Sequence, residues 1–100
     1  MQPAQSCAYI LKILADATRL SILKLLMSGP QHVNQLNAVL KLEQSLLSHH
    51  LKVLRQAGLV QATRDGKAVL YQLAPKIQSS HASEGLDLGC CEFLFTSFSL

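Results

Sequence analysis

Apolar residues recur at helical spacing along most of this chain, and the period shifts to strand alternation between residues 61 and 73. In residues 44–56, Leu47, Leu51 and Leu54 fall at i, i+4 and i+7, and Leu46, His50 and Val53 widen the stripe. That pattern predicts a helix with one face on a core. Its opposite face carries Ser45, Ser48, His49, Lys52, Arg55 and Gln56. Ala57-Gly58 predicts the stop, because glycine accepts the left-handed backbone of a C-cap. Leu59, Val60 and then Gln61 to Arg64 resemble a strand, and Asp65-Gly66 predicts a tight hairpin turn. The following run places Val69, Tyr71 and Leu73 on one side and Ala68, Leu70 and Gln72 on the other.

The same reading extends to both ends. Residues 4–14 predict a first helix with Tyr9, Ile10, Ile13 and Leu14 apolar. Asp16 can cap a second, running to about Met27, with Leu20, Ile22, Leu23, Leu25 and Leu26 inward. Ser28-Gly29-Pro30 breaks the chain. Residues 33–40 form a short third helix, and Leu42-Glu43 makes the turn into the helix that starts at Glu43 or Gln44. Pro75 suits the first turn of a final helix over 75–89, which Gly85 or Gly89 would end. The apolar remainder, 90–100, gets no assignment as helix or strand. The expected architecture is mainly α with a β-hairpin wing, in a single domain whose core spans about 4–73.

Charge gives this layout a direction. Residues 41–76 carry Lys41, Lys52, Arg55, Arg64, Lys67 and Lys76 against Glu43 and Asp65, whereas residues 77–100 carry only Glu84, Asp87 and Glu92. The positive excess therefore sits on the 44–56 helix and the hairpin, as attraction to phosphates requires. Ser and His side chains can read base edges or phosphates, and the helix N-terminus favours an anion. We therefore expect double-stranded DNA to meet Gln44, Ser45, Ser48, His49, Lys52 and Arg55 on the helix, and Arg64 and Lys67 at the wing. Arg19 could contact phosphate as well; pairing with Asp16 at a helix junction is the simpler role. His50, on the apolar stripe, reads as a core histidine with a satisfied hydrogen bond. One hundred residues make one domain that dimerisation usually helps. There is no 18-residue apolar run and no basic-then-apolar leader, so we expect a cytoplasmic chain that does not engage a membrane and keeps its three cysteines as thiols.

Two segments carry a specific resemblance. SLLSHHLKVLRQAGLV followed by RDGKAVLYQL resembles the recognition helix and wing of the ArsR/SmtB family, and LADATRLSILKLL at 14–26 resembles a second signature of that family, in the same order. The resemblance covers roughly residues 8–73. It implies a winged helix-turn-helix repressor that senses metal ions, metalloids or redox state. It also implies a homodimer through the first and last helices, which sets two recognition helices about one DNA turn apart on a palindromic operator.

The effector site departs from the family's usual patterns. Where the resemblance implies Cys-x-Cys at the positioning helix, this chain has Gln31-His32-Val33-Asn34-Gln35. Of the family's zinc pattern between final helices, only His81 and Glu84 match, with no Asp-x-His before them. Cys7, Cys90 and Cys91 remain. The implied dimer brings the first helix and the C-terminal region together, so three soft thiolates could converge on one thiophilic ion. Arsenite or antimonite, which take three sulfurs, are the expected inducers. Zinc would want a fourth ligand, which His81 could supply. A dithiol redox switch pairing Cys7 with Cys90 or Cys91 is an alternative, and so is plain apolar packing of the cysteines. An enzyme with Cys90 or Cys91 as nucleophile and His81 as base is not expected, since no oxyanion or phosphate loop accompanies them.

Overall fold

The computed structural model describes residues 3–78 and 85–95. Four helices come first: α1 (Pro3–Leu14), α2 (Ala17–Leu26), α3 (Val33–Leu40) and α4 (Gln44–Gln56). A two-residue strand, β1 (Gln31–His32), precedes α3, and the hairpin β2 (Val60–Asp65) and β3 (Ala68–Leu73) follows α4. The three strands form one antiparallel sheet in the order β1-β3-β2.

Local chemistry explains the boundaries. The Asp16 carboxylate accepts the Arg19 backbone N–H at 3.0 Å and caps α2. Asn37 clamps the α3–α4 turn from both sides: its amide donates to the Leu42 carbonyl at 3.0 Å, and its oxygen accepts the Leu42 N–H at 2.7 Å. That clamp accompanies a left-handed Lys41 (φ 52°) at the end of α3. At the end of α4, Leu59 N–H donates to the Leu54 carbonyl and Gly58 N–H to the Arg55 carbonyl, both at 3.0 Å. This is a Schellman cap, and Gly58 supplies its positive φ of 78°. In the wing, Asp65 pairs with Ala68, so the two-residue turn is Gly66-Lys67 rather than Asp65-Gly66. Gly66, at φ 64°, takes the first turn position, as a II′ hairpin turn requires.

The core gathers Ile22, Leu23 and Leu26 of α2, Leu36 of α3, and Leu47, Leu51 and Leu54 of α4, with Leu59, Val60 and Leu73 at the wing root. α2 is thus the central helix, and α4 packs on it through the predicted stripe. One stripe member departs from expectation: Leu46 is 44% exposed. It lies a further turn of angle from the Leu47–Leu51–Leu54 line and projects beside the outward face.

The C-terminal region corrects the expected helix over 75–89. Pro75–Ile77 makes a single 3-10 turn, and Gln78 is already extended and bridges Leu86. A second hairpin follows, β4 (Gly85–Asp87) and β5 (Glu92–Leu94). Burial drives it: Leu86, at 0%, and Phe95, at 2%, enter the core, while Asp87, Glu92 and Leu94 stay outside. Over residues 92–95 that is a period of two, which suits a strand and not a helix. Lys24 of α2 stands over the Phe95 ring, 5.4 Å from its centroid, and Phe93 meets Phe95 edge-on. The dimerising last helix is therefore replaced, among the described residues, by a short turn and a hairpin docked on α2.

Truncating a fully buried α4 side chain tests this core. Leu51→Ala should lower the unfolding free energy by about 2–5 kcal/mol in urea titration, with an unchanged m-value.

Candidate nucleic-acid interface

Burial of the apolar stripe leaves the other side of α4 open. Gln44, Ser45, Ser48, His49, Lys52, Arg55 and Gln56 are all exposed, and so are Arg64 and Lys67 at the wing. Ser45 Oγ donates to Glu43 Oε1 at 2.7 Å, so that serine is partly engaged at the helix start. The face holds four cations, with Glu43 at the head of the helix and Asp65 at the wing tip as its carboxylates. Asp65 Oδ2 accepts a hydrogen bond from His32 Nε2 at 2.8 Å, which offsets its charge when the ring is protonated.

His50 and Arg19 face inward, behind α4. His50 is buried at 7%. Arg19 Nε donates to its Nδ1 at 3.1 Å, and Arg19 Nη1 donates to the Ile13 carbonyl at 3.2 Å. Arg19 therefore joins the α1–α2 junction to the back of α4, and it meets Asp16 through its backbone N–H. Because Nδ1 accepts from a guanidinium, the neutral imidazole is the fitting form. Burial pushes the His50 pKa below its ordinary value, nearby Asp16 acts in the opposite direction, and Arg19 and His49 push it down further.

The three cysteines meet at the far end. Cys7 lies on α1, and Cys90 and Cys91 form the turn of the β4–β5 hairpin, where Leu88 N–H donates to the Cys91 carbonyl at 2.8 Å. Cys7 and Cys90 are joined as a disulfide, with Cα atoms 5.9 Å apart. Cys91 is free and exposed, and its Sγ lies 3.5 Å from that of Cys7. All three sulfurs fall within 4.8 Å of one another. Among the described residues no histidine or carboxylate joins this cluster; His81 and Glu84, the expected zinc pair, lie outside the described residues. Contrary to the expectation of three thiols, only Cys91 is a free thiol here; with the Cys7–Cys90 bond reduced, the cluster would offer three soft sulfur donors.

Sequence reasoning missed the His32–Asp65 contact and the exposure of Leu46. Nothing local in the sequence ties His32 to a residue 33 positions away.

Comparison with known proteins decides the family. A family model for bacterial regulatory proteins of the arsR family matches residues 16–62. The transcriptional regulator NmtR of Mycobacterium tuberculosis is 40% identical over 86 residues, covering 86% of this chain and 68% of NmtR. This chain belongs to the ArsR family. It spans 60–61% of the length of other curated relatives that it matches. Two solved structures resemble this ArsR-family fold. The homodimeric winged helix-turn-helix DNA-binding domain Mb0332 of Mycobacterium bovis is 32% identical with a TM-score of 0.66, over 71% of this chain and 66% of that one. A structure described as a possible transcriptional regulator for arsenical resistance is 43% identical with a TM-score of 0.62, over 65% of this chain and 68% of that one. The relatives are transcriptional regulators, not enzymes. Among the described residues no helix is long and apolar enough to cross a membrane.

The depressed His50 pKa has a thermodynamic consequence. Below about pH 6.5 the unfolded chain takes up a proton that the folded chain still refuses, so the contribution of His50 is present above that pH and is lost as pH falls toward the folded value. Unfolding titrations across that range should show wild type losing more stability than His50→Leu; parallel curves would contradict the assignment.

Proposed function

We propose that this chain binds operator DNA as a twofold dimer and leaves it when a trivalent thiophilic ion, arsenite or antimonite, bridges Cys7, Cys90 and Cys91. The observation that carries the reading is the convergence of three sulfurs from α1 and the hairpin turn within 4.8 Å. Similarity to the structure described as a possible regulator for arsenical resistance supports the ligand, and similarity to the homodimeric Mb0332 domain supports the dimer.

On the DNA side, Gln44, Ser45, Ser48 and His49 lie where a helix in the major groove reaches base edges. Lys52, Arg55, Arg64 and Lys67 neutralise phosphates. On the effector side, two-electron reduction of the Cys7–Cys90 bond by a small-molecule thiol, itself oxidised to its disulfide, frees two thiols beside the already free Cys91. An ion bound to all three clamps α1 to the hairpin. α1 also exposes Tyr9 and Leu11, apolar groups for a partner protomer to cover, so the clamp acts on the helix that sets dimer geometry. The ion must bind the free dimer more tightly than the DNA-bound one, by about 1–3 kcal/mol for a typical coupling. A zinc response would need a fourth ligand beyond the three sulfurs.

A second reading rests on the Cys7–Cys90 bond itself: a two-electron oxidant closes it and shifts the same elements without an ion. Cys91→Ser separates the two. It retains the oxidisable pair but lacks the third sulfur.

Arsenite titrated into reduced, DNA-bound protein should release wild type at a concentration about tenfold or more below that needed for Cys7→Ser, Cys90→Ser or Cys91→Ser. Release of all three variants at the wild-type concentration sinks the ion site. Release of Cys91→Ser by peroxide alone, with wild type indifferent to arsenite, establishes the oxidative reading instead.

The DNA face has a separate check. Lys52→Ala, Arg55→Ala and Lys67→Ala should each weaken binding across sequences and reduce the salt slope by about 1. Ser48→Ala and His49→Ala should mainly cost sequence preference. Operator affinity unchanged in all five would overturn the assignment of this face.

A further inference from the structure

The wing is a sheet at its root and only a two-stranded ribbon at its tip. β1 supports β3 through two residue pairs, Gln31 with Tyr71 and His32 with Leu70. Beyond Leu70 the ribbon continues as Arg64 opposite Val69 and Asp65 opposite Ala68, closed by Gly66-Lys67. Residues 63–68 are all exposed. An isolated two-stranded hairpin is marginally ordered in water. Yet this part carries both cations of the wing.

One contact ties the tip back. The His32 Nε2–H donates to Asp65 Oδ2 at 2.8 Å across 33 positions of sequence. His32 is itself well anchored. It ends β1, stands at the N-cap of α3, and its backbone N–H donates to Gln35 Oε1 at 2.7 Å. His32 also lines a groove of about 430 Å³ together with Val33, Asn34, Gln44, Ala68 and Val69 among others, so the gap between the helix-turn-helix unit and the wing lies beside the contact.

We propose that His32 and Asp65 form a latch that holds the wing tip at a fixed position relative to α4, so that Arg64 and Lys67 meet DNA pre-positioned. Both are positioning residues. The inference rests on the DNA-binding reading above but is independent of the effector. It has a sign that charge alone does not. Asp65 is a carboxylate on a phosphate-facing tip, so deleting it should tighten DNA binding if charge were its only effect. A latch predicts the reverse.

The test uses the full chain with a duplex selected from random sequence by the wild-type protein. His32→Ala and Asp65→Ala should each bind that duplex about two- to fivefold more weakly, the range of one partly exposed hydrogen bond. The double variant should be no worse than either single one, since both remove the same contact. Asp65→Asn should bind like wild type or better, because its amide oxygen still accepts from Nε2–H while the charge is gone. In the free protein, amide order parameters of Gly66 and Lys67 should fall in all three alanine variants and hold in Asp65→Asn. Tighter binding by Asp65→Ala, additive losses in the double variant, or unchanged tip order overturns the latch. If wild type selects no duplex, the DNA-binding reading falls, and the order parameters still decide whether the pair fixes the tip.

Discussion

A helix can offer a row of polar side chains to a groove only if its other side cannot turn. In this chain that constraint is the burial of Leu47, Leu51 and Leu54, none more than 1% exposed, against Ile22, Leu23 and Leu26 of α2 and Leu36 of α3. Rotating α4 by one residue would bring Ser48 or Lys52 into a leucine-lined core, at a cost of several kcal/mol for the unpaired charge alone. Arg19 adds a polar lock on the same side, because its guanidinium holds both the Ile13 carbonyl and the His50 ring. The Schellman cap at Gly58 then stops the helix and aims β2 out as the wing. The exposed face is thus a consequence of the buried one.

Two contacts extend from this rigid centre to opposite ends. At one end the hairpin turn brings Cys90 and Cys91 to Cys7 on α1. At the other, His32 holds the wing tip through Asp65. The body between them is well packed, and packed interiors transmit displacement rather than absorb it. Cys7 sits on α1, whose loop leads through Asp16 into α2 and whose Ile13 carbonyl is bound to Arg19. Arg19 in turn meets His50 on the buried side of α4, so α1 and α4 are joined through one guanidinium.

Much of this was legible in residue order. The four helices, their caps at Asp16 and Gly58, and the strands at 61–64 and 68–73 follow from spacing and turn chemistry that act within a few residues. His50 was readable as a core residue because it falls on the leucine stripe. Leu46 was misplaced for a related reason: it is near the stripe but on its shoulder, where packing partners decide burial. The helix expected over 75–89 failed because proline and two glycines looked like helix punctuation. The alternation of Phe93 and Phe95 with Glu92 and Leu94, a strand signal, is short and sits in a largely apolar tail that masks it.

Residue order by itself determined the helix-turn-helix, the wing and the cationic outward face, because each depends on periodicity, capping and charge among near neighbours. Folding alone decided that a sulfur of the first helix lies against two from a turn more than eighty positions later, and that a histidine before α3 holds an aspartate across the wing. Those meetings depend on which distant surfaces bury one another, and no local spacing encodes that choice.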